Sequence, residues 1–153
     1  MAEPTLRVEV VDQLGQVADP DYKFTIEGKP LAVNACFKPH LIPRGGKGPK
    51  GYRASIGRTK AYERARATLN VPCPRTQHLL IVRIDAYWDR RSRQWSTETV
   101  DVPVADADAV LKPLLDSMQF RGVFEDDIQI LRLLAAKHYD KTNPRTEVRI
   151  WEL

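Results

Sequence analysis

The stretch Leu79-Leu80-Ile81-Val82-Arg83-Ile84-Asp85-Ala86-Tyr87-Trp88 is the strongest strand signal in this chain of 153 residues. It is rich in β-branched and aromatic side chains and apolar enough to predict a central strand. Residues 89–94 are charged and predict a hairpin-like turn. Residues 95–104 then predict the returning strand, in which Trp95 would pair with Trp88 across the hairpin.

Upstream of this strand, the pattern predicts one clear strand and one helix. Apolar and polar residues alternate over Tyr22–Ile26, which predicts a strand, and a weaker alternation predicts another at Leu6–Val11. Residues 34–53 contain many prolines and glycines and predict a long irregular segment. The helical spacing of apolar residues predicts a helix from about Thr59 to Leu69.

Downstream, a short helix is predicted over roughly Val110–Met118. Residues Ile128–Lys137 are interpreted as a strand because Arg145–Trp151 would be a plausible antiparallel partner, although Ile128–Lys137 also fits a helical face. The predicted elements are strands, helix, strands, helix and strands, with antiparallel hairpins dominating. The fold class is therefore α+β in one domain, with a mixed, mostly antiparallel sheet and two helices.

Composition and cysteine usage exclude several classes of protein. No apolar run approaches the roughly 20 residues that span a membrane, so no membrane partner is expected. The N-terminal residues lack the pattern of a signal peptide, and a cytoplasmic protein is expected. Cys36 and Cys73 lie far apart and have no zinc-ligand spacing, so both are interpreted as buried bystanders.

The net charge of +4 is less informative than its distribution. From Lys38 to Arg66 there are nine basic residues and one acid, and from Asp101 to Asp127 there are seven acids and two bases. Opposite charge blocks in one small domain indicate two surfaces with different tasks. Basic side chains attract phosphates and acidic ones hold a divalent cation, a combination that a metal-dependent nuclease needs.

The acidic block contains the most informative segment, Asp106-Ala107-Asp108-Ala109. On an extended backbone, residues two apart point to the same side, so Asp106 and Asp108 would present two carboxylates to one point. Converging carboxylate oxygens favour Mg²⁺ or Mn²⁺. A solvated loop or a helix cap is the alternative interpretation of the same pair.

Lys112 follows Asp108 by four residues and could contact a phosphate from the same side of a helix that Asp108 caps. Pro113 disfavours helix at the residue before it, so the helix could instead begin near Leu111.

Glu125-Asp126-Asp127 forms a second acidic cluster directly before an apolar run. Adjacent carboxylates repel one another, which suggests that one of them points into the fold. A turn before a strand is the alternative.

These residues resemble the RusA family of Holliday junction resolvases. That family has an Asp-x-Asp-Asn motif, a lysine three residues later, Asp-Ala-Leu, then Asp-Asp-x-Gln and a further lysine. This chain has corresponding motifs in the same order and at the same spacing: Asp106-Ala107-Asp108-Ala109, Lys112, Asp116-Ser117-Met118, Asp126-Asp127-Ile128-Gln129 and Lys137. The resemblance covers about Tyr22–Trp151, which divides the chain into an N-terminal extension over residues 1–20 and a RusA-like domain over 21–153.

The resemblance implies a homodimer that binds four-way DNA junctions and nicks two strands symmetrically in recombination and repair. Such enzymes need Mg²⁺, for which Mn²⁺ substitutes. By position, Asp106, Asp108 and Asp127 would be the metal-binding and catalytic carboxylates and Lys112 the catalytic lysine. Asp116 and Asp126 would have supporting roles. Ala109 stands where the family has asparagine, and alanine cannot orient a carboxylate or a bound water.

The basic segment is the predicted DNA-binding surface. Its best candidates for phosphate contacts are Lys47, Lys50, Arg53, Arg58 and Lys60. Two alternatives to a junction-cutting enzyme stay open. One is a RusA-like protein that binds branched DNA with weak or no cleavage, because of Ala109. The other is a small interaction domain unrelated to DNA.

Overall fold

The computed structural model describes residues 19–32, 36–43, 52–71 and 75–153. The strand predicted at Leu6–Val11 lies outside these ranges, as does nearly all of the proposed extension over residues 1–20. Within the described ranges, no helix is both long and apolar enough to cross a membrane.

A mixed four-stranded sheet is the centre of the fold. Its strands are β1 (Tyr22–Glu27), β4 (Leu80–Trp88), β5 (Ile130–Tyr139) and β6 (Arg145–Glu152), in the order β1-β6-β4-β5. β6 pairs antiparallel with β1 and β4, whereas β4 and β5 run parallel. The predicted central position of β4 is confirmed, and so is the α+β class.

The two predicted helices are present. Helix α1 spans Lys60–Thr68, and the Thr59 side chain caps it by accepting a hydrogen bond of 3.3 Å from the Tyr62 backbone N–H. Helix α2 spans Leu111–Phe120, so of the two alternatives that Pro113 left open, the start at Leu111 is the one observed. Pro113 lies in its first turn, where no intrahelical partner is needed for a backbone N–H.

The main hydrophobic core lies between the sheet and α2. Alternate residues of β4 point to this side because side chains alternate along a strand. They are Leu80, Val82, Ile84 and Ala86, each at most 1% exposed. Met118 of α2 and Phe124 pack into the same cluster. On the other side of the sheet, Ile81 and Trp151 form a smaller buried pair. Trp151 is thus a core residue.

The prediction of an irregular segment over residues 34–53 was wrong. Strands β2 (Phe37–Pro43) and β3 (Tyr52–Arg58) occupy much of it and form a separate antiparallel pair. Proline lacks a backbone N–H, but an edge strand tolerates it when that position faces away from its partner strand. In a two-stranded sheet both strands are edges, so the two prolines of β2 do not exclude a strand.

The returning strand predicted over residues 95–104 was also wrong. Among residues 89–110 the only strand-like pairing is the bridge between Arg91 and Pro103. β4 already has β6 on one edge and β5 on the other, so no edge is available for a hairpin partner. Trp95 is 68% exposed in this loop and has no strand on which to pair with Trp88.

β5 and β6 are strands as predicted, but they are not partners, because β4 lies between them. Helix α2 lies in the connection between β4 and β5 and returns the chain to the end of the sheet at which β4 begins. A connection of that kind places the next strand parallel to the first. β6 then follows β5 by a short connection but pairs on the far side of β4.

Candidate active site

Asp106 and Asp108 lie in a turn immediately before α2, and not on the extended backbone that was expected. The Ala109 N–H donates to the Asp106 carbonyl at 3.2 Å, and the Leu111 N–H donates to the Asp108 carbonyl at 3.0 Å. Val110, and not Asp108, is the N-cap of α2. Both aspartates are exposed, whereas Ala109 and Val110 are buried and anchor the turn.

Lys112 is on the first turn of α2, and its side chain is 70% exposed. Its Nζ lies 3.4 Å from Oδ1 of Asp116, one helical turn further along. Exposed pairs of this spacing contribute little free energy. The ammonium can therefore leave Asp116 for a phosphate at small cost.

Lys137 of β5 connects the sheet to the loop that precedes Asp106. Its ammonium donates to the Ala105 carbonyl at 2.8 Å and approaches the Pro103 carbonyl at 3.5 Å. The sequence singled out this lysine only as a motif position. Its partners are backbone atoms of a distant part of the chain, which no local pattern reveals.

The second acidic cluster surrounds a short 3-10 helix, Asp127–Gln129. Asp126 caps it by accepting a hydrogen bond of 3.0 Å from the Ile128 N–H. Glu125 forms an ion pair of 2.9 Å with Arg75. All three acids of this cluster are exposed, so the expectation that one of them points into the fold was wrong.

The side chain of Gln129 holds the second acidic cluster in place through four hydrogen bonds. Its Oε1 accepts hydrogen bonds from the backbone N–H groups of Glu125 and Asp126 at 2.7 and 3.2 Å. Its Nε2 donates to the carbonyls of Thr76 and His78 at 3.2 and 3.0 Å. Gln129 thereby joins the segment of Asp127 to the chain entering β4, and Asp127 is left exposed to solvent.

Asp127 is not brought together with the first acidic pair. It precedes the first residue of β5, whereas the loop before Asp106 contacts Lys137 in the second half of that strand. Lys137 lies seven residues along β5 from Ile130, about 23 Å at the usual rise per residue. Among the described residues, no group of three His, Cys, Asp or Glu side chains could hold a metal ion.

The predicted DNA contacts are described only in part. Lys47 and Lys50 lie outside the described residues, and Arg53 lies on β3. Arg58 is half exposed, lies 3.7 Å from Glu63 and approaches the ring of Tyr62. Lys60 is exposed at the first position of α1.

An acidic residue that sequence reasoning missed lies inside β4. Asp85 is 2% exposed. It accepts hydrogen bonds from Arg83 at 2.8 Å and from Arg149 at 3.4 Å, and its Oδ1 is 2.8 Å from Nε2 of His138. The charged pair Arg83 and Asp85 at alternate positions of an apolar strand was the available signal, because both must share one side of the sheet.

Burial alone would raise the pKa of Asp85, since a carboxylate is poorly solvated inside a protein. The hydrogen bonds from Arg83 and His138 outweigh burial and hold the pKa below its usual value. Tyr87 stacks on His138 at 4.6 Å and receives the Arg145 guanidinium on its ring at 3.6 Å. This satisfied network has the character of a structural ion cluster.

Residues 50–151 match the family model of endodeoxyribonuclease RusA. The chain belongs to the RusA family. The matched segment includes both acidic clusters, Lys112 and Lys137, so the resemblance seen in the motifs is confirmed. Membership makes the protein a nuclease of the Holliday junction resolvase type. No curated protein gives a significant match to the chain.

RusA nucleases depend in general on divalent metal ions, and the residues of this chain fit that requirement in part. Asp106 and Asp108 are exposed hard oxygen donors two residues apart. Mg²⁺ is commonly held by one or two carboxylates, the remaining positions being taken by water and phosphate. Asp106 and Asp108 therefore suit Mg²⁺, whereas a third carboxylate from Asp127 of the same chain lies far away.

Proposed function

We propose that this RusA protein is a Mg²⁺-dependent, structure-selective endodeoxyribonuclease. It resolves four-way DNA junctions by paired symmetric nicks, in DNA recombination and repair, and acts as a homodimer. The observation that carries the proposal is the exposed pair Asp106 and Asp108 in the turn before α2. Buried residues anchor this turn, and it lies within the segment that the family model matches.

The proposed metal ligands are Asp106, Asp108 and Asp127, and Asp127 would come from the other subunit of the proposed homodimer, because within one chain it lies at the opposite end of β5. A divalent ion at this site would supply positive charge for polarising the scissile phosphodiester and would lower the pKa of a water nucleophile. Mg²⁺ is the proposed ion, and Mn²⁺ would replace it because both prefer oxygen ligands. Hydrolysis then leaves a 5′-phosphate and a 3′-hydroxyl.

Lys112 is the proposed catalytic cation. Its exposed ammonium stands four residues after Asp108 and is held only by a weak contact with Asp116. In the transition state it would stabilise the charge that develops on the phosphate oxygens. Asp116 supports it by keeping the ammonium near the start of α2 when no DNA is bound. Asp126 supports the site differently, as the cap of the segment that carries Asp127.

The proposed DNA contacts extend from this turn to the basic segment. Lys60 begins α1, which packs against α2, so the exposed basic side chains of α1 lie near the helix that carries Lys112. Lys47, Lys50, Arg53 and Arg58 are proposed to follow the DNA backbone by neutralising phosphates. Contacts of this kind position the protein without reading the base sequence.

The experiment compares the parent protein with the Asp108→Asn variant on a synthetic four-way junction in Mg²⁺. Paired nicks by the parent and loss of nicking by the variant, with junction binding retained, are the expected results. Cleavage at an unchanged rate in excess EDTA would eliminate the metal-dependent mechanism. Asp101→Asn is the matched control, since Asp101 is an exposed aspartate paired with Arg91 in the preceding loop.

The second candidate function is branched-DNA binding with weak or no cleavage. Ala109 favours it, because this residue is buried and offers no side-chain hydrogen bond to a neighbouring carboxylate. Binding of the junction without nicks by the parent, in both Mg²⁺ and Mn²⁺, would select this alternative. An Ala109→Asn variant that gains nicking would identify the alanine as the cause.

A further inference from the structure

The loop between β4 and the turn of Asp106 carries an aromatic side chain that has no part in the fold's core. Trp95 is 68% exposed, which leaves a large apolar ring in water. Among the described residues, no ring or cation lies against its indole, whereas the other exposed aromatic, Phe120, has the Arg66 guanidinium 4.0 Å from its ring centre. The indole of Trp95 is therefore available to a ligand.

Hydrogen bonds hold the backbone around Trp95 in a defined shape. The Ser92 N–H donates to the Val102 carbonyl at 2.7 Å, and the Val102 N–H donates to Oγ of Ser96 at 3.0 Å. The N–H of Trp95 itself donates to Oγ of Ser92 at 3.3 Å. An aromatic side chain on a backbone that is already ordered loses little conformational entropy when a ligand binds.

The loop is joined closely to the candidate active site. The Lys137 ammonium donates to the carbonyl of Ala105, the last residue of the loop. The residue that is hydrogen-bonded to Ser96 lies four positions before Asp106. A chain covers at most about 3.6 Å per residue, so the backbone of Trp95 lies at most about 25 Å from that of Asp106. This distance is shorter than one turn of a DNA duplex, about 34 Å.

The charges of the loop favour an anionic ligand next to Trp95. Of the three acids in residues 89–105, two form ion pairs with basic residues: Asp89 with Lys29 at 2.6 Å and Asp101 with Arg91 at 2.8 Å. Arg90 and Arg93 are exposed, and within the described ranges no ion pair joins either of them to a carboxylate. Only Glu98 opposes these two guanidinium groups, so the surface beside Trp95 is net positive.

A nucleic-acid base fits this surface better than a protein partner does. A specific protein interface buries about 1,200 Å² or more and has an apolar centre. Residues 93–99 offer one aromatic ring, and all their other side chains are polar or charged. A base needs only one aromatic face to stack on and a cation near its phosphate.

We infer that Trp95 stacks on an exposed base beside the branch point of a DNA junction, while Arg90 and Arg93 contact the neighbouring phosphates. This inference rests on the proposed function for the substrate. Bases inside a linear duplex are stacked on both faces, whereas a base at a branch point can lose a stacking neighbour. Trp95 would thereby favour branched over linear DNA without reading base identity, because every base has a face that stacks.

Binding measured without Mg²⁺ tests the inference independently of cleavage. The Trp95→Ala variant should bind a four-way junction about tenfold more weakly, the effect of one lost stacking contact, and should bind a linear duplex of the same arms like the parent. Trp95→Phe should retain most of the junction affinity, because a phenyl ring also stacks. Equal weakening with junction and duplex, or no weakening with the junction, overturns the inference.

Val100→Ala is the matched control for the loss of an apolar side chain. Val100 is 56% exposed in the same loop, and its hydrogen bonds with Thr97 involve only its backbone. This variant should bind the junction like the parent. Weakening as large as that of Trp95→Ala would show that the loop, and not the indole, is responsible, and would overturn the inference.

Salt dependence separates stacking from electrostatic attraction. The Arg90→Gln/Arg93→Gln double variant should bind junction and duplex more weakly, with a slope of log affinity against log salt shallower by about 0.9 for each phosphate lost. Trp95→Ala should keep the slope of the parent, because it removes no charge. A slope for Trp95→Ala as shallow as that of the double variant overturns stacking as the explanation.

Fluorescence of 2-aminopurine placed at the branch point reports the stacking itself, because emission of this base analogue is quenched when it is stacked. The junction complex of Trp95→Ala should be brighter than that of the parent at a position next to the branch. Equal emission from the two complexes at every such position overturns the inference.

Sedimentation and nicking distinguish the remaining outcomes. Trp95→Ala should sediment like the parent, and a changed association state would show that Trp95 contacts another protein chain, which overturns the inference. A parent that prefers junctions but does not nick them refutes the proposed function and leaves the role of Trp95 supported. A parent that nicks junctions, with Trp95→Ala binding and nicking them equally well, refutes the inference alone.

Discussion

The Nζ atom of Lys137 lies 2.8 Å from the carbonyl oxygen of Ala105, the residue immediately before Asp106. This hydrogen bond links β5 to the end of the irregular connection that runs from residue 89 to residue 110. A half-buried ammonium thereby holds the backbone from which two proposed metal ligands project.

Replacement of Lys137 by methionine should loosen this loop, because methionine keeps the length of the side chain and removes all three donors. We expect the half-saturating concentration of Mg²⁺ for junction nicking to rise about tenfold, with junction binding unchanged. In the metal-free protein, hydrogen exchange at amides 104–111 should be faster. Lys137→Arg should restore most of both properties, since arginine also donates to carbonyls.

Lys141→Met is the control for the removal of one positive charge, since Lys141 is exposed in the connection after β5. Equal metal dependence of Lys137→Met and the parent would show that the hydrogen bond to Ala105 does not position the site.

The basic segment predicts a specific salt dependence. The Lys47→Ala/Lys50→Ala/Arg53→Ala triple variant should bind junctions more weakly at every salt concentration. The slope of log affinity against log salt should become shallower by about 0.9 for each phosphate that the variant no longer neutralises. Fluorescence anisotropy with a labelled junction, titrated over a range of salt concentrations, measures this slope. The same slope in parent and variant would remove these residues from the interface.

The four hydrogen bonds of Gln129 predict that removal of its side chain lowers the unfolding free energy. The Gln129→Ala variant should lose about 2 kcal/mol of unfolding free energy, less than four separate bonds would suggest because the backbone groups it leaves are partly reached by water. Urea unfolding provides the measurement. Gln119→Ala is the matched control, because Gln119 is exposed and makes one hydrogen bond, to the Glu125 carbonyl at 2.9 Å. Equal losses in both variants would contradict a special role for Gln129.

Asp85 predicts a dependence of stability on pH. Its folded-state pKa lies below the ordinary value of 3.8, so its charge stabilises the fold above that value, and this contribution is lost as the pH falls through the lowered pKa. The Asp85→Asn variant should lose about 3 kcal/mol at pH 7, because it leaves Arg83 and Arg149 beside a neutral group. The difference between variant and parent should shrink below about pH 4. A difference that does not change between pH 7 and pH 3 would refute this account.

Local patterns were sufficient for the central strand, β1, both helices and the family. Leu80–Trp88 is almost uniformly apolar, Thr59 is a favoured helix cap, and the acidic motifs keep the spacing of the RusA family. In each case, residues a few positions apart determine the structure, and their spacing is visible in the chain. The α+β class follows from the same local signals.

The pairing of the strands could not be predicted in this way. Residues 95–104 have the composition of a strand, yet both edges of β4 are occupied by segments that come later in the chain. Residues 145–151 were expected to be the antiparallel partner of 128–137, whereas β4 separates the two strands. Such competition between distant segments for one strand edge has no local signature.

The sequence by itself determined which side chains are available for chemistry: two aspartates before a helix, a lysine one turn later, and a third aspartate before β5. Only the tertiary structure decided where they stand. In the folded chain the first pair lies in a turn that Lys137 holds. Asp126 caps the segment that carries Asp127, and Gln129 links this segment to the chain entering β4. Asp127 itself lies at the other end of β5. The physical reason is that a motif records order along the chain, whereas the distance between its parts depends on a strand and a helix that span the fold in opposite directions.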